Sequence, residues 1–283
     1  MTEKYPFKDI LLACDMDGTL LDSKKQISRE NREAVKYFVE KGGSFTIATG
    51  RMDLGIVQYM PQLTVNAPVI LYNGSQIYDY WKKETLWCKL LPTDVRSVLV
   101  HLMKKFPQMG VEVFHGGHMI LLRENDTTEM HLKRAEFFPR RASIEEVPDG
   151  WYKVMLAWEH EKLLEVEKYI LENIINKESA FYTVFSEPIF LEILSRDASK
   201  GAALKELIRM LEISPSRVIA VGDNLNDVDM IQAAGIGIAV ENAHEQLKKV
   251  ADYCFPDNDN HVVSKIVEWL DKKEVRAEWF GKI

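Results

Sequence analysis

Apolar and polar positions alternate in two styles along this chain, and the style changes twice. Residues 10–14, Ile-Leu-Leu-Ala-Cys, form an apolar run without polar alternation, the pattern of a strand buried on both faces. A helix is predicted next. Ser28 is placed to cap it, Ala34, Val35, Phe38 and Val39 make its apolar stripe, and Gly42-Gly43 ends it. "SFTIATG" at 44–50 and "APVILY" at 67–72 read as further strands, and Asn73-Gly74 turns the chain into another. This half predicts a βαβ-type parallel sheet.

From about residue 80 to 187 the order is different. "TLWCKLL" at 85–91 suits a strand, and Val95, Val98, Leu99, Leu102, Met103 and Phe106 then recur at helical spacing. "VEVFHGGHMILL" at 111–122 predicts a hairpin around Gly116-Gly117. A polar helix over 127–138, a strand at 152–158, a helix over 163–175 and two strands at 181–185 and 189–194 complete the segment. Hairpins mixed with crossovers predict an α+β module. The βα alternation then resumes, with helices over 200–213, 224–235 and 243–250 and strands at 217–223 and 236–240. The expected architecture is an α/β, Rossmann-like parallel-sheet core, in segments 1–82 and 188–283, interrupted by an inserted α+β domain at 83–187.

At 283 residues, with 46% hydrophobic and 28% charged positions, the chain has the length and composition of a two-domain globular protein. A net charge of −7 argues against a broad nucleic-acid footprint. No apolar run approaches a membrane span, and the first residues lack the features of a signal peptide, so a cytoplasmic location is expected, with no membrane partner. Cys14, Cys88 and Cys254 are too widely separated for a zinc or disulfide pattern.

The chemistry concentrates at the ends of the predicted strands. Asp15 and Asp17 follow the first strand directly; alternate residues of an extended chain point to one side, so both carboxylates can face one site. Open α/β sheets bind ligands at that carboxyl edge. Gly18 permits a tight turn and Thr19 offers a hydroxyl. Thr49, Gly50 and Arg51 end the second strand with a hydroxyl and backbone N–H groups suited to an anion. Asp223, Asn226 and Asp227 follow a later strand, and Lys200 opens a helix. Clustered carboxylates with a hydroxyl and one lysine suit Mg²⁺ and a phosphoryl group, because magnesium prefers oxygen ligands and is usually held by few carboxylates plus phosphate.

In combination, D-M-D-G-T-L at 15–20, T-G-R at 49–51, Asn73-Gly74, F-L-E-I-L-S-x-x-A-S-K-G-A-A-L at 190–204 and G-D-N-x-N-D at 222–227 resemble the haloacid dehalogenase-like (HAD) hydrolases. The insertion between Thr49 and Lys200 is similar to the C2-type cap of the Cof-type phosphatase branch. The resemblance covers essentially the whole chain; Ser75 after Asn-Gly and His261 in the last loop depart from the branch's common residues. It implies a Mg²⁺-dependent phosphatase acting on a small phosphorylated metabolite, either a sugar phosphate or a phosphorylated cofactor. By the same resemblance Asp15 is the nucleophile that becomes an aspartyl-phosphate, and Asp17 is the general acid and then the general base. Mg²⁺ is held by Asp15, the backbone carbonyl of Asp17, and Asp223. Thr49 binds a phosphoryl oxygen, Lys200 neutralises the transferring group, and Gly50, Arg51, Asn73 and Asn226 are candidate substrate contacts. Asp227 supports Lys200 or the metal's surroundings. A phosphosugar mutase, or a non-catalytic phospho-ligand-binding protein of the same fold, stays open on these motifs.

Overall fold

Strand β1 (Leu11–Cys14) is fully buried, as its unbroken apolar run requires. The computed structural model to which it belongs describes residues 4–135 and 139–279. Helix α1 (Arg29–Glu40) starts where Ser28 Oγ accepts the Asn31 N–H at 3.2 Å, and it buries Val35 and Phe38. Beyond it come β2 (Ser44–Ile47), β3 (Val69–Leu71), β4 (Gln76–Asp79) and β5 (Glu84–Cys88). The last three form a small sheet in the order β3-β4-β5, and a parallel bridge links Ala48, just past β2, to Ile70 of β3.

The middle of the chain supplies α2 (Val95–Lys105), β6 (Gly110–His115), β7 (His118–Arg123), α3 (Asp126–Ala135), β8 (Arg140–Arg141), β9 (Trp151–Ala157), α4 (His160–Asn173), β10 (Phe181–Glu187) and β11 (Phe190–Ser195). Its six-stranded sheet runs β10-β11-β9-β6-β7-β8 and is antiparallel except between β7 and β8. One face buries Val111, Val113, Val154, Leu156, Leu191 and Ile193 in a cluster with Leu99 and Leu102 of α2 and Val166 and Ile170 of α4. The end of the helix expected over 127–138 lies outside the described residues.

The last part contributes α5 (Lys200–Met210), β12 (Val218–Gly222), α6 (Val228–Ala233), β13 (Ile236–Val240), α7 (Glu245–Lys248), β14 (Tyr253–Phe255), α8 (Val262–Leu270) and α9 (Lys273–Trp279). A parallel sheet in the order β14-β13-β12-β1-β2 results, with β1 between β12 and β2.

The chain thus forms two compact units. One comprises the residues up to Arg51, Ile56–Trp87 and those from Lys200 onward; the other comprises Met52–Gly55 and Cys88–Ser199. Two boundaries differ from expectation. The 187 boundary cuts off β11, although the strand expected at 189–194 completes the inserted segment; β11 pairs with β10 and β9 and so belongs to the inserted unit. Most of β5 goes the other way, because it extends the β3-β4 sheet. The helix expected over 224–235 is a 3-10 turn at Leu225–Asp227 followed by α6, and that expected over 243–250 shrinks to the single turn of α7.

Candidate active site

Strand register decides which residues meet. Cys14 lies level with Val221 of β12 and with Ile47 of β2. Just past that level, the Asp15 N–H donates to Val221 O at 2.9 Å and the Ala48 N–H donates to Cys14 O at 2.9 Å. Asp15, Asp223 and Thr49, far apart in sequence, therefore leave the sheet at one edge, the carboxyl ends of three adjacent parallel strands.

Helix α5 opens with Lys200, whose buried ammonium donates to Asp15 Oδ1 at 2.6 Å and to Asp227 Oδ1 at 2.6 Å. The other Asp227 oxygen accepts the N–H groups of Asp223 and Asn224, each at 3.1 Å, closing the loop after β12. Carboxylate oxygens of Asp15, Asp223 and Asp227 all lie within 4.8 Å of one another. One lysine thus faces three acids. Burial, reinforced by the Asp227 and Asp17 charges and opposed by Lys200, pushes the Asp15 carboxyl up to about 7. Burial and the charges of Asp15 and Asp227 push Asp223 up to about 9. The same acids raise Lys200 against its own burial, so it stays charged.

This cluster fits a divalent cation. Asp15 Oδ2 is buried without a hydrogen-bond donor, although a buried carboxylate oxygen ordinarily has one. Asp227 is occupied by Lys200 and two N–H groups, which leaves Asp15 Oδ2 and Asp223 as the oxygens with capacity for a hard cation. Gly18, at φ +84°, lets the chain pass Asp223 closely: a Cβ there would lie 2.3 Å from Asp223 Oδ2. The Gly18 carbonyl accepts from Asn242 Nδ2 at 2.8 Å.

The Asp17 carboxylate is not part of that cluster. Arg51 grips it with two bonds, Nε to Oδ2 at 2.6 Å and Nη2 to Oδ1 at 2.8 Å, and Lys25 Nζ donates to Oδ1 at 2.8 Å. Burial disfavours its charge, but Arg51 and Lys25 outweigh that and hold its carboxyl well below the usual carboxylate range. Arg51, expected to contact substrate, thus has a partner within the protein, and its guanidinium also lies 5.1 Å from the centre of the Tyr59 ring. Sequence reasoning missed Lys25 and Asn242, which sit in polar stretches with no pattern to single them out.

Thr49 is buried, with its Oγ1 accepting the Arg51 N–H at 3.1 Å and its carbonyl accepting the Asn73 N–H at 3.0 Å. Asn73 is left-handed at φ 55°, a conformation Asn tolerates, and its Oδ1 accepts from Asn226 Nδ2 at 2.9 Å. A Cβ on Gly50 would come within 2.9 Å of that same Asn73 Oδ1. Thr49, Gly50, Asn73 and Asn226 therefore form one connected polar ledge. Among the described residues, no helix is long and apolar enough to cross a membrane.

Comparison with known proteins adds three findings. A family model described as haloacid dehalogenase-like hydrolase matches residues 12–267. The 5-amino-6-(5-phospho-D-ribitylamino)uracil phosphatase YcsE of Bacillus subtilis is 30% identical over 92% of this chain and 95% of its own length, and the phosphatase YwpJ of the same organism is 30% identical over 92% and 99%. Among solved structures, a haloacid dehalogenase-like hydrolase from Bacteroides thetaiotaomicron superposes with a TM-score of 0.82 at 29% identity, covering 92% of this chain and 99% of that one.

Proposed function

As the chain belongs to the haloacid dehalogenase-like hydrolases, we propose that it is a Mg²⁺-dependent phosphatase hydrolysing a small phosphorylated metabolite through an aspartyl-phosphate on Asp15. The observation that carries this reading is the state of Asp15. Its carboxylate is buried at the end of β1, one oxygen held by Lys200 and the other without a donor beside Asp223.

In the first step an Asp15 oxygen forms a bond to phosphorus as the bond from phosphorus to the leaving oxygen breaks. Asp17 gives a proton to the departing alkoxide, a step in which its carboxyl must hold that proton against the grip of Arg51 and Lys25. In the second step Asp17, now a carboxylate, takes a proton from water while the water oxygen bonds to phosphorus. The bond to Asp15 breaks, and phosphate leaves with Asp17 protonated again. Lys200 balances the charge of Asp15 and of the transferring group, with Asp227 fixing its direction. Thr49 and the N–H groups of its loop would bind phosphoryl oxygens, with Asn73 and Asn226 shaping that ledge. Asp15 and Asp223 would hold Mg²⁺, which when bound offsets the repulsion between a carboxylate nucleophile and a phosphate dianion.

The inserted unit serves in this reading as the cap that selects leaving groups. The relative YcsE is named for a phosphorylated ribityl compound, and a substrate panel would start with sugar phosphates and phosphorylated cofactors. Turnover of such a panel with Mg²⁺, compared with Asp15→Asn, tests the proposal. Release of phosphate that depends on Asp15, with a phosphorylated protein detected by mass after rapid quenching, is expected. Turnover that survives Asp15→Asn overturns it.

A further inference from the structure

The lysine that reaches Asp17 stands on an unusual backbone. Lys25 has φ +58°, in the left-handed region that glycine or asparagine occupies readily and a lysine does not. It closes a tight turn in which the Lys25 N–H donates to Asp22 O and the Asp22 N–H donates to Gln26 O, both at 2.9 Å. Asp22 Oδ1 also accepts the N–H groups of Lys24 and Gln26, at 2.9 and 2.8 Å. Outside the turn, Tyr59 OH donates to Lys25 O at 3.2 Å, and Ser23 donates twice to Asp259, from N at 2.8 Å and from Oγ at 2.7 Å. The Cα of Lys25 is pinned from several sides.

Stability does not account for a lysine here. Its side chain is 55% exposed, and an ion pair that open to solvent contributes little. The turn itself would prefer glycine. What the lysine adds is geometric. An ionised carboxylate has about four lone-pair positions; Arg51 fills two on Asp17 and Lys25 a third. One acceptor direction remains.

We propose that Lys25 is a positioning residue for the hydrolytic half of the reaction: with Arg51 it fixes the Asp17 carboxylate so that its one remaining acceptor direction receives the proton of the attacking water. The form of Asp17 that Lys25 and Arg51 grip is the carboxylate, the form the second step uses. The inference rests on the reading of Asp17 given under the proposed function.

The test uses p-nitrophenyl phosphate, whose leaving group needs little protonation, so that forming the aspartyl-phosphate is insensitive to Asp17 while its hydrolysis is not. Lys25→Gly relieves the left-handed backbone, so its melting temperature should be no lower than that of the parent. Rapid-mixing kinetics should show a burst of one p-nitrophenolate per enzyme, kcat reduced about tenfold and kcat/KM within about twofold of the parent. Lys25→Arg should restore most of kcat. Equal falls in kcat and kcat/KM, or an unchanged kcat without a burst, overturn the proposal. Asp17→Asn is the reference. If it gives the burst and Lys25→Gly does not, Lys25 alone is misassigned; if Asp17→Asn gives none, the reading of Asp17 fails and this inference with it.

Discussion

Two buried lysines, one in each unit, contact carboxylates at nearly the same distance and in opposite settings. In the inserted unit Lys153 of β9 donates to Glu192 of β11 at 2.7 Å on neighbouring strands, with the Phe114 ring 4.8 Å from the ammonium. In the other unit Lys200 donates at 2.6 Å to each of two acids, and a third carboxylate stands beside them. Burial and ion pairing are common to both. In the second, three acids crowd one ammonium, and Asp15 Oδ2 is buried without a donor. The surplus therefore marks the site, whereas a buried pair by itself does not.

That contrast can be broken most directly by removing Asp15. Asp15→Asn should lower turnover by about 10⁴-fold or more, as loss of a nucleophile does. Its melting temperature in metal-free buffer should be no lower than the parent's, because one of three crowded acids becomes neutral. Calorimetry alongside the activity assay checks both; a strong fall in stability would mean that the acids are not in surplus.

The pair in the inserted unit should behave in reverse. Lys153→Met leaves the Glu192 carboxylate buried without its ammonium and should cost about 3–5 kcal/mol in denaturant unfolding. Replacing both, Lys153→Met with Glu192→Leu, should recover most of that loss, since a hydrophobic pair of similar volume is often no worse. A small cost for the single variant would equate the two pairs.

Metal binding sharpens the comparison further. Mg²⁺ at a hundred times its Kd should add about 2.7 kcal/mol of stability by mass action. Asp223→Asn should abolish this gain, and Lys153→Met should retain it, as read by thermal unfolding with Mg²⁺ and then with EDTA.

The pH dependence of the metal-free protein probes the crowded acids on their own. Asp15 and Asp223 carry protons in the folded chain from their ordinary value of 3.8 up to about 7 and about 9, where the unfolded chain has released them. Their contribution is thus fully present below pH 4 or so and is lost as pH rises through 7 towards 9. Asp17, shifted the opposite way, contributes stability above its ordinary value of 3.8 that is lost only in acid. Melting temperatures of the parent minus those of Asp223→Asn, from pH 5 to 9 in EDTA, should therefore fall with pH. Added Mg²⁺ should flatten or reverse the slope, because it binds the ionised acids.

Legibility followed the strength of the local signal. Residues 10–14, the Ser28 cap and the hairpin at Gly116-Gly117 were readable because an apolar run, a capping hydroxyl and a glycine pair each act within a few residues. Strand β14 is three residues long and β8 two, too short for any period to register. Helix α8 was missed despite a usable signal: Val262, Val263, Ile266, Val267 and Leu270 form its buried stripe. The 187 boundary fell one strand short: it divides β10 from β11, which pair as a hairpin and continue the sheet through β9.

The sequence by itself determined the α/β class, the insertion and the set of acidic, hydroxyl and lysine residues at the strand ends, since each depends on residue type and local order. Only the tertiary structure decided how those residues divide. Parallel register brings Asp15 level with the loop of Asp223 and Asp227, 208 or more positions away, and the start of α5 delivers one ammonium to two of the three acids. It also turned Asp17 aside, into the grip of Arg51 and Lys25. Two aspartates separated by one residue thus occupy different electrostatic surroundings. The physical reason is that a charge's behaviour is set by what lies within a few ångströms, and those neighbours come from distant parts of the chain.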